Sequence, residues 1–173
     1  VLSPAAAKEI EIPMIASGGF GDSRGLVAAL ALGADGINMG TRFMCTVESC
    51  IHQNVKEAIV ATDERGTELI FRSLHNTARV ASNVVSREVV EILKNGGQFE
   101  DVKDLVAGVR GRKVFDNGDI DAGIWTVGTV MGLIHDIPTC DELISRIVGE
   151  AEEIITGRLA RMLGAGEAEL ASV

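Results

Sequence analysis

The sequence predicts an α/β fold in which parallel strands alternate with helices. Two short apolar segments, residues 12–16 (IPMIA) and 35–39 (DGINM), each lead into glycine and are separated by a leucine- and alanine-rich stretch. A strand, a helix and a second strand within about 30 residues form a βαβ unit, whose strands are parallel and whose connection is right-handed. Hydrophobic residues make up 46% of the 173 residues, which is enough to bury a core.

The first strand is expected to be buried on both faces, because residues 12–16 form a continuous apolar run rather than an alternating one. The helix after it, residues 24–34, carries leucine and alanine at helical spacing. Asp22 or Ser23 is expected to cap that helix, since a side-chain oxygen there accepts from the free N–H groups of the first turn.

The rest of the chain is predicted to be mainly helical. Residues 139–164 show the strongest pattern, because Thr139 and Glu142 have capping-box spacing and apolar residues follow at helical spacing. The other elements expected are helices over residues 46–61, 75–95, 101–109 and 125–135, a strand over 67–71, and a loop or hairpin with a DNG turn over 110–124.

The composition excludes several classes of protein. The net charge of −9, from 16 basic and 25 acidic residues, opposes binding to a nucleic-acid backbone. No apolar run reaches the ~20 residues of a spanning helix, so no membrane insertion is expected. Cys45, Cys50 and Cys140 lack CxxC spacing, so neither a disulfide framework nor a metal site is expected. A cytoplasmic protein with reduced thiols is predicted.

Both predicted strands of the βαβ unit end next to glycine, at the edge where parallel βα folds bind their ligands. Gly18 and Gly19 follow the first strand, and Met39, Gly40 and Thr41 lie at the end of the second. Glycine lets backbone N–H groups approach an anion closely, a helix N-terminus favours negative charge, and a threonine hydroxyl adds a donor. Phosphate binding is one interpretation of this pattern; a pair of ordinary turns is the other.

The segment IPMIASGGFGDSRGLVAALALGADGINMGTRF is similar to the one that spans the seventh and eighth strands of FMN-dependent (β/α)₈ barrel enzymes. Inosine monophosphate dehydrogenases share its looser pattern. The chain most resembles the nitronate monooxygenases, formerly called 2-nitropropane dioxygenases, and the related flavin-dependent enoyl-acyl-carrier-protein reductases. The segments that carry this resemblance are the MGTRF ending, the stretch HNTARVASN at residues 75–83 and the later GDIDAGIWTVGTVMGLIHDIP. The resemblance covers about residues 10–155.

This resemblance implies the C-terminal part of a (β/α)₈ TIM barrel, its last two βα units, followed by a helical extension. A complete barrel takes roughly 200 to 250 residues, and the opening VLSPAAAKEI is what a chain beginning in mid-domain would show. Association with a missing N-terminal half, or a homo-oligomer, is therefore expected. The expected division is residues 1–61 for the βα units with the FMN phosphate loops, 62–164 for the extension and 165–173 for a tail.

The resemblance also implies a reaction, the FMN-dependent oxidation of alkyl nitronates by dioxygen. Gly18, Gly19, Met39, Gly40 and Thr41 would then bind FMN. The histidine that acts near the substrate in the family has no match here, so the catalytic residue is unknown and the isolated chain is expected to be inactive. Two alternatives stay open: part of a flavin-dependent enoyl-acyl-carrier-protein reductase that uses a nicotinamide cofactor, and a non-catalytic half-barrel that serves as a partner.

Three residues near these segments have more than one interpretation. Arg42 either contacts the phosphate or pairs with an acidic residue such as Asp22 or Glu48. The side chain of Met39 is expected in the core even if its backbone touches flavin. Trp125 lies in a family segment whose helix packs over the barrel mouth, and a core anchor with a satisfied N–H is expected.

The histidines and cysteines are not expected to be reactive. His52 is predicted on a helix, His75 at a helix start and His135 near a helix end, all in surface or capping roles. Cys45 and Cys50 have no basic partner in the sequence pattern that would favour a thiolate.

Overall fold

The computed structural model of the chain describes residues 2–163, and the predicted tail, residues 165–173, lies outside them. The fold is mixed α/β. The regular elements, in chain order, are α1 (Leu2–Glu9), β1 (Ile15–Ser17), α2 (Ser23–Ala31), β2 (Gly36–Asn38), α3 (Thr41–Met44), α4 (Gln53–Val60), β3 (Thr67–Ile70), β4 (Ala78–Ala81), α5 (Val84–Lys94), α6 (Phe99–Val102), α7 (Gly108–Asn117), α8 (Cys140–Glu153) and α9 (Ala160–Met162), with 3₁₀ turns at Arg72–Leu74 and Thr129–Leu133 and a π-helical turn at Ile154–Leu159.

Contacts between residues group the chain into two compact units. The first unit holds the described parts of residues 1–39 and 140–173, and the second holds residues 40–139. The long C-terminal helix α8 therefore belongs with the βαβ segment, although about 100 residues separate them in sequence. The predicted division at residue 61 concerns which segments belong to a barrel, and it stays a prediction.

The first unit contains the predicted βαβ arrangement, since β1 and β2 are parallel neighbours. Asp35 aligns the two strands at their start: the Met14 N–H donates to its carboxylate at 2.8 Å, and its own N–H donates to the Met14 carbonyl at 2.8 Å. The expectation that β1 is buried on both faces is wrong, because Ile15 is 57% exposed. A strand is buried on both faces only where other elements pack over both faces of its sheet, and the exposed Ile15 side chain is left uncovered.

Helix α2 begins at the predicted cap and ends at Ala31, before the predicted end at residue 34. The Asp22 side chain accepts a hydrogen bond from the Gly25 N–H, and Gly33 follows the helix with a φ of +92°. Helix α8 packs against α2, with Leu143, Ile147 and Ala151 on its buried stripe. The predicted helix at residues 139–164 is thus confirmed over the described part, with a π-helical turn before α9.

The second unit corrects the predicted helix over residues 75–95. Residues 78–81 form β4, which pairs antiparallel with β3, and the helix starts only after Asn83. Pairing with β3 satisfies the backbone of β4, and this tertiary contact overrides the helical appearance of the local sequence. Asn83 then caps α5 in a capping box with Ser86.

Four other predicted elements are also corrected. The helix over residues 46–61 is confirmed only from Gln53 to Val60, because residues 45–52 form a loop between α3 and α4. The helix over 101–109 and the loop over 110–124 are displaced, since α6 ends at Val102 and α7 runs from Gly108 to Asn117 before a left-handed Gly118. Residues 125–128 are not helical, and Thr126 forms a β-bridge with Val80.

Two apolar clusters form the core of the second unit. One gathers Ile59, Trp125, Met131 and Ile134, all less than 5% exposed. The other lies between the β3–β4 hairpin and α5, around Ile70, Val80, Val89 and Val102.

Candidate functional site

The glycine-rich loop after β1 and the end of β2 lie at the same edge of the sheet in the first unit. Ser17 and Asn38 form the last pair of the parallel register, so Gly18 and Met39 are the residues that leave the two strands together. Gly18 has a φ of +103° and Gly19 of +79°, a region that side chains other than glycine rarely adopt. A Cβ at either position would meet no atom within 4 Å, so the backbone here borders open space.

The N-terminus of α2, directly after this loop, already carries a carboxylate. Asp22 accepts from the Gly25 N–H at 3.1 Å and pairs with Arg24. Burial by itself would raise the pKa of Asp22, but the hydrogen bonds from Arg24 and Gly25 outweigh it and the pKa is lowered. An anion in this loop would therefore bind to the glycine backbone and not to the first turn of α2.

Gly40 begins the second unit with an ordinary backbone conformation, φ −87° and ψ −72°, which any residue can adopt. A Cβ added there would again meet nothing within 4 Å. Neither backbone strain nor crowding inside the protein requires glycine at this position. A group from outside the chain that approaches the backbone closely would require it.

Thr41 opens α3 and is half-buried. Its Oγ1 accepts a hydrogen bond from the Gly128 N–H at 3.0 Å. Because a hydroxyl group both donates and accepts, this contact leaves the O–H of Thr41 free to donate. The role predicted for Thr41 needs that donor.

Arg42 pairs with an acidic residue, but with neither of those named from the sequence. Its side chain is 3% exposed, its Nη2 lies 2.6 Å from Oδ1 of Asp136, and its Nη1 donates to the Asp136 carbonyl at 3.1 Å. Asp22 is instead paired with Arg24. Asp136 follows a 3₁₀ turn in a stretch without a regular charge pattern, so no signal in the sequence indicates this pair.

The loop between α3 and α4 is organised by a buried lysine that sequence reasoning missed. Lys56 is 4% exposed, and its Nζ donates to the carbonyls of Thr46, Val47 and Ser49 at 2.7, 3.4 and 2.8 Å. Adjacent residues of a helix do not share a face, so the neighbouring Val55 gives no signal in the sequence that Lys56 is covered.

The three cysteines are free thiols, and the Cys45 side chain is fully buried. Burial raises the pKa of Cys45 to about 11, although the charges of Arg42 and Lys56 act in the opposite direction. A thiol with this pKa stays protonated near neutral pH and is a poor nucleophile. Cys50 is exposed and Cys140 is half-buried.

The histidines occupy capping and surface positions. His52 is the N-cap of α4, where its Nδ1 accepts from the Asn54 N–H at 3.2 Å, so its predicted position within a helix is wrong. His75 is exposed and ends a 3₁₀ turn instead of starting a helix. His135 is exposed and lies shortly after the second 3₁₀ turn.

The interpretation of Trp125 as a core anchor is confirmed. The residue is 4% exposed, and its Nε1 donates to the Ile120 carbonyl at 3.1 Å. It lies in an extended segment and not in a helix.

Met39, whose side chain was expected in the core, is half-buried.

Two further findings limit what the described residues can do. No group of three or more His, Cys, Asp or Glu side chains between residues 2 and 163 is placed to hold a metal ion. None of the helices in that range is long and apolar enough to cross a membrane.

Comparison with known proteins gives a family and a set of relatives. The family profile described as nitronate monooxygenase matches residues 1–150. A (3aS,4S,5R,7aS)-5-hydroxy-7a-methyl-1-oxo-octahydro-1H-indene-4-carboxyl-CoA dehydrogenase of Rhodococcus jostii is 31% identical, over 87% of this chain and 53% of that protein. A nitronate monooxygenase of Neurospora crassa is 29% identical, over 86% of this chain and 40% of that protein.

Solved structures show the same likeness. FabK from Thermotoga maritima has a TM-score of 0.84 and 33% identity, and the match covers 93% of this chain and 51% of that one. A nitroalkane oxidase from Streptomyces ansochromogenes has a TM-score of 0.69 and 25% identity, over 90% and 44% of the two chains. The mixed α/β fold is consistent with part of a barrel enzyme.

The chain spans about half the length of the relatives it matches. Within that span, the family profile covers most of its residues and the relatives include several nitronate monooxygenases. The chain therefore belongs to the nitronate monooxygenase family.

Proposed function

We propose that this chain is the C-terminal, FMN-phosphate-binding part of a nitronate monooxygenase, an oxidoreductase that oxidises alkyl nitronates with dioxygen. The family match supports the reaction class, and so do relatives named nitronate monooxygenase and nitroalkane oxidase. On this proposal the described fold supplies the last two βα units of a barrel and an extension.

The observation that carries the proposal is the unexplained glycine at position 40. Its backbone is ordinary and a side chain would enter empty space, so nothing within the described chain requires glycine there, and a ligand close to the backbone would account for it. Gly18 and Gly19 add backbone N–H groups beside open space, and Thr41 adds a free hydroxyl donor. Oxygen-rich anions such as a phosphate ester suit this set of donors.

The proposed work of this chain is to bind and orient the cofactor. FMN, when bound, supplies the redox chemistry, and the protein determines its position. The backbone of Gly18, Gly19, Met39 and Gly40 and the hydroxyl of Thr41 would hold the phosphate. None of the three histidines, all of which lie in the described range, follows β1 or β2, so no proton transfer is assigned to them and the isolated chain is expected to be inactive.

The experiment is a titration of the chain with FMN and with riboflavin, which lacks the phosphate, followed by flavin fluorescence. We expect FMN to bind at least about tenfold more tightly, since a tenfold difference in affinity needs only ~1.4 kcal/mol. Gly40→Leu is expected to abolish this preference. Gly108→Leu is the matched control, because Gly108 also has open space at Cβ and no positive φ.

Equal affinity for the two flavins, or an unchanged preference in Gly40→Leu, would contradict the assignment of the phosphate site. Failure of the parent chain to bind FMN would contradict the proposal that these residues hold the phosphate without further strands. Circular dichroism of each variant shows whether a lost affinity comes from the site or from unfolding.

A second candidate is a flavin-dependent reductase of the enoyl-acyl-carrier-protein type. The likeness to FabK favours it, because its TM-score exceeds that of the nitroalkane oxidase, and a relative named as a carboxyl-CoA dehydrogenase is also matched. Anaerobic reduction of the flavin distinguishes the candidates in FMN-loaded protein. Reduction by an alkyl nitronate favours the monooxygenase, reduction by NADH favours the reductase, and reduction by neither favours a non-catalytic partner.

Association with another chain is part of the proposal. Ile12 is 74% exposed and Ile15 is 57% exposed, beside a strand that has only one neighbour in the described sheet. An open strand edge with apolar side chains favours pairing. We propose either a homo-oligomer or association with a chain that supplies the other strands of a barrel. A cytoplasmic location stays a prediction.

A further inference from the structure

A second candidate site lies in the second unit, away from the glycine-rich loops. A pocket of about 190 Å³ is formed by the end of β3, the turn that follows it and one face of α5. Its walls are apolar and include Leu69, Val90 and Leu93. Arg72 and Lys94 also line it, and both side chains are exposed to solvent.

The charged side chains that line this pocket are opposite in sign to the net charge of the protein. The chain carries a net charge of −9, yet none of the described side chains that line the pocket is acidic. Within residues 2–163, Arg72 and Lys94 form no ion pair with a carboxylate. Two unpaired cations beside an apolar cavity would attract a ligand with an apolar body and one anionic group.

Phe71 forms a wall that this pocket shares with a neighbouring one. The second pocket has about 270 Å³ and is lined by Phe71, Leu74, Asn76 and Phe99. The rings of Phe71 and Phe99 pack with their centroids 6.3 Å apart and an interplanar angle of 57°. Because Phe71 lines both pockets, its ring is expected to limit how far a bound chain can extend from one pocket into the other.

The backbone at Phe71 is in an unusual conformation. Phe71 has φ 60° and ψ 21°, and His75 has φ 54°, so left-handed residues bracket the 3₁₀ turn that presents Arg72. A bulky aromatic residue rarely adopts this conformation, and such residues cluster at ligand clamps and active sites. The Phe71 carbonyl accepts from the N–H groups of Leu74 and Asn76, which hold the turn in place.

We propose that this pocket binds a medium-chain amphipathic carboxylate, with its alkyl chain between β3 and α5 and its carboxylate on Arg72 and Lys94. An apolar cavity of about 150 Å³ holds one benzene ring, so this pocket holds a chain of roughly six to eight carbons. The proposal is independent of the flavin site, and it stands whether or not FMN binds.

The test is calorimetric titration of the full chain with octanoate, and with 1-octanol as a neutral ligand of the same chain. Octanoate is expected to bind more tightly than octanol. Arg72→Gln with Lys94→Gln is expected to weaken octanoate about tenfold or more and to leave octanol unchanged, since hydrogen bonds to charged groups are the strong ones. Arg87→Gln with Lys113→Gln is the control, because both residues are exposed on helices of the same unit and neither lines the pocket.

A second variant tests the wall. Phe71→Ala is expected to join the two pockets and to shift the preference from octanoate towards dodecanoate. Phe71→Gly is measured as well, to separate the loss of the ring from backbone strain, since glycine accepts the left-handed backbone and keeps the turn folded.

Three results would overturn the proposal. Equal affinity for octanoate and octanol would show that Arg72 and Lys94 do not bind the carboxylate. An equal loss of octanoate affinity in the Arg87 and Lys113 control would show that only the net charge of the protein matters. An absence of octanoate binding, together with self-association that the Arg72 and Lys94 variant abolishes in sedimentation, would assign this face to a second copy of the chain.

Discussion

Replacement of Lys56 by methionine is expected to destabilise the second unit by about 2–3 kcal/mol. The Nζ of Lys56 makes two short hydrogen bonds, to the carbonyls of Thr46 and Ser49, in addition to a longer one to Val47. A hydrogen bond to a charged group contributes roughly 1.5–3 kcal/mol, but removal of a buried charge offsets part of the loss. Water can also replace some bonds, because Ser49 is half-buried and Val47 is exposed.

Urea unfolding followed by tryptophan fluorescence measures this effect. Trp125 is the single tryptophan of the chain, and it lies in the core of the same unit as Lys56. Lysine and methionine have similar helix propensities, so the substitution changes the loop contacts and not the intrinsic stability of α4. Lys113→Met is the matched control, since Lys113 is exposed on α7.

A loss below about 1 kcal/mol for Lys56→Met, or a loss equal to that of Lys113→Met, would refute this reasoning. Water would then satisfy the loop carbonyls as well as the lysine does. Comparison of the fluorescence transition with circular dichroism shows whether the two units unfold together.

Three further predictions follow from buried or capping groups. Asn83→Ala should cost about 2–3 kcal/mol in urea unfolding, because it removes a helix cap and leaves the carbonyls of Ile120 and Gly123 without their donor. Cys45 should resist alkylation at neutral pH, whereas the exposed thiol of Cys50 should react readily. Because the pKa of Cys45 is raised to about 11, its contribution to stability should be full below pH 9 and should be lost as the pH rises towards 11. Asp22→Ala should cost about 1 kcal/mol of α2 stability at pH 7, measured by circular dichroism. Because the pKa of Asp22 is lowered, the wild-type advantage should be present above pH 3.8 and should disappear as the pH falls below it.

The βαβ segment could be predicted because its signals are local. A proline-led apolar run, a capping aspartate and a glycine stop each act within a few residues, and the structure shows β1, α2 and β2 close to the expected positions. The long helix α8 follows the same rule, since its apolar stripe is visible in the sequence.

The segment between α4 and α8 could not be predicted as well, because its elements depend on distant partners. Residues 78–81 read as part of a helix until β3 pairs with them. Trp125 and Thr126 are extended because they meet β4, through the bridge from Thr126 to Val80. A local pattern carries no information about such partners.

The candidate site shows the same separation. The family, the glycine-rich loops and the residues proposed to hold the phosphate all came from the order of residues, and the family assignment is confirmed. The order of residues did not indicate the acidic partner of Arg42, since Asp136 lies 94 residues from it. It did not indicate the burial of Lys56 either.

By itself, the sequence determined the α/β class, the parallel βαβ unit and the nitronate monooxygenase family, because these depend on short-range periodicity and on an ordered motif. Only the tertiary structure decided which charges are buried, where the hairpin forms and that a side chain at position 40 would enter open space. The physical reason is that burial, pairing and open space are properties of what surrounds a residue in three dimensions, and the chain brings those surroundings together from distant positions.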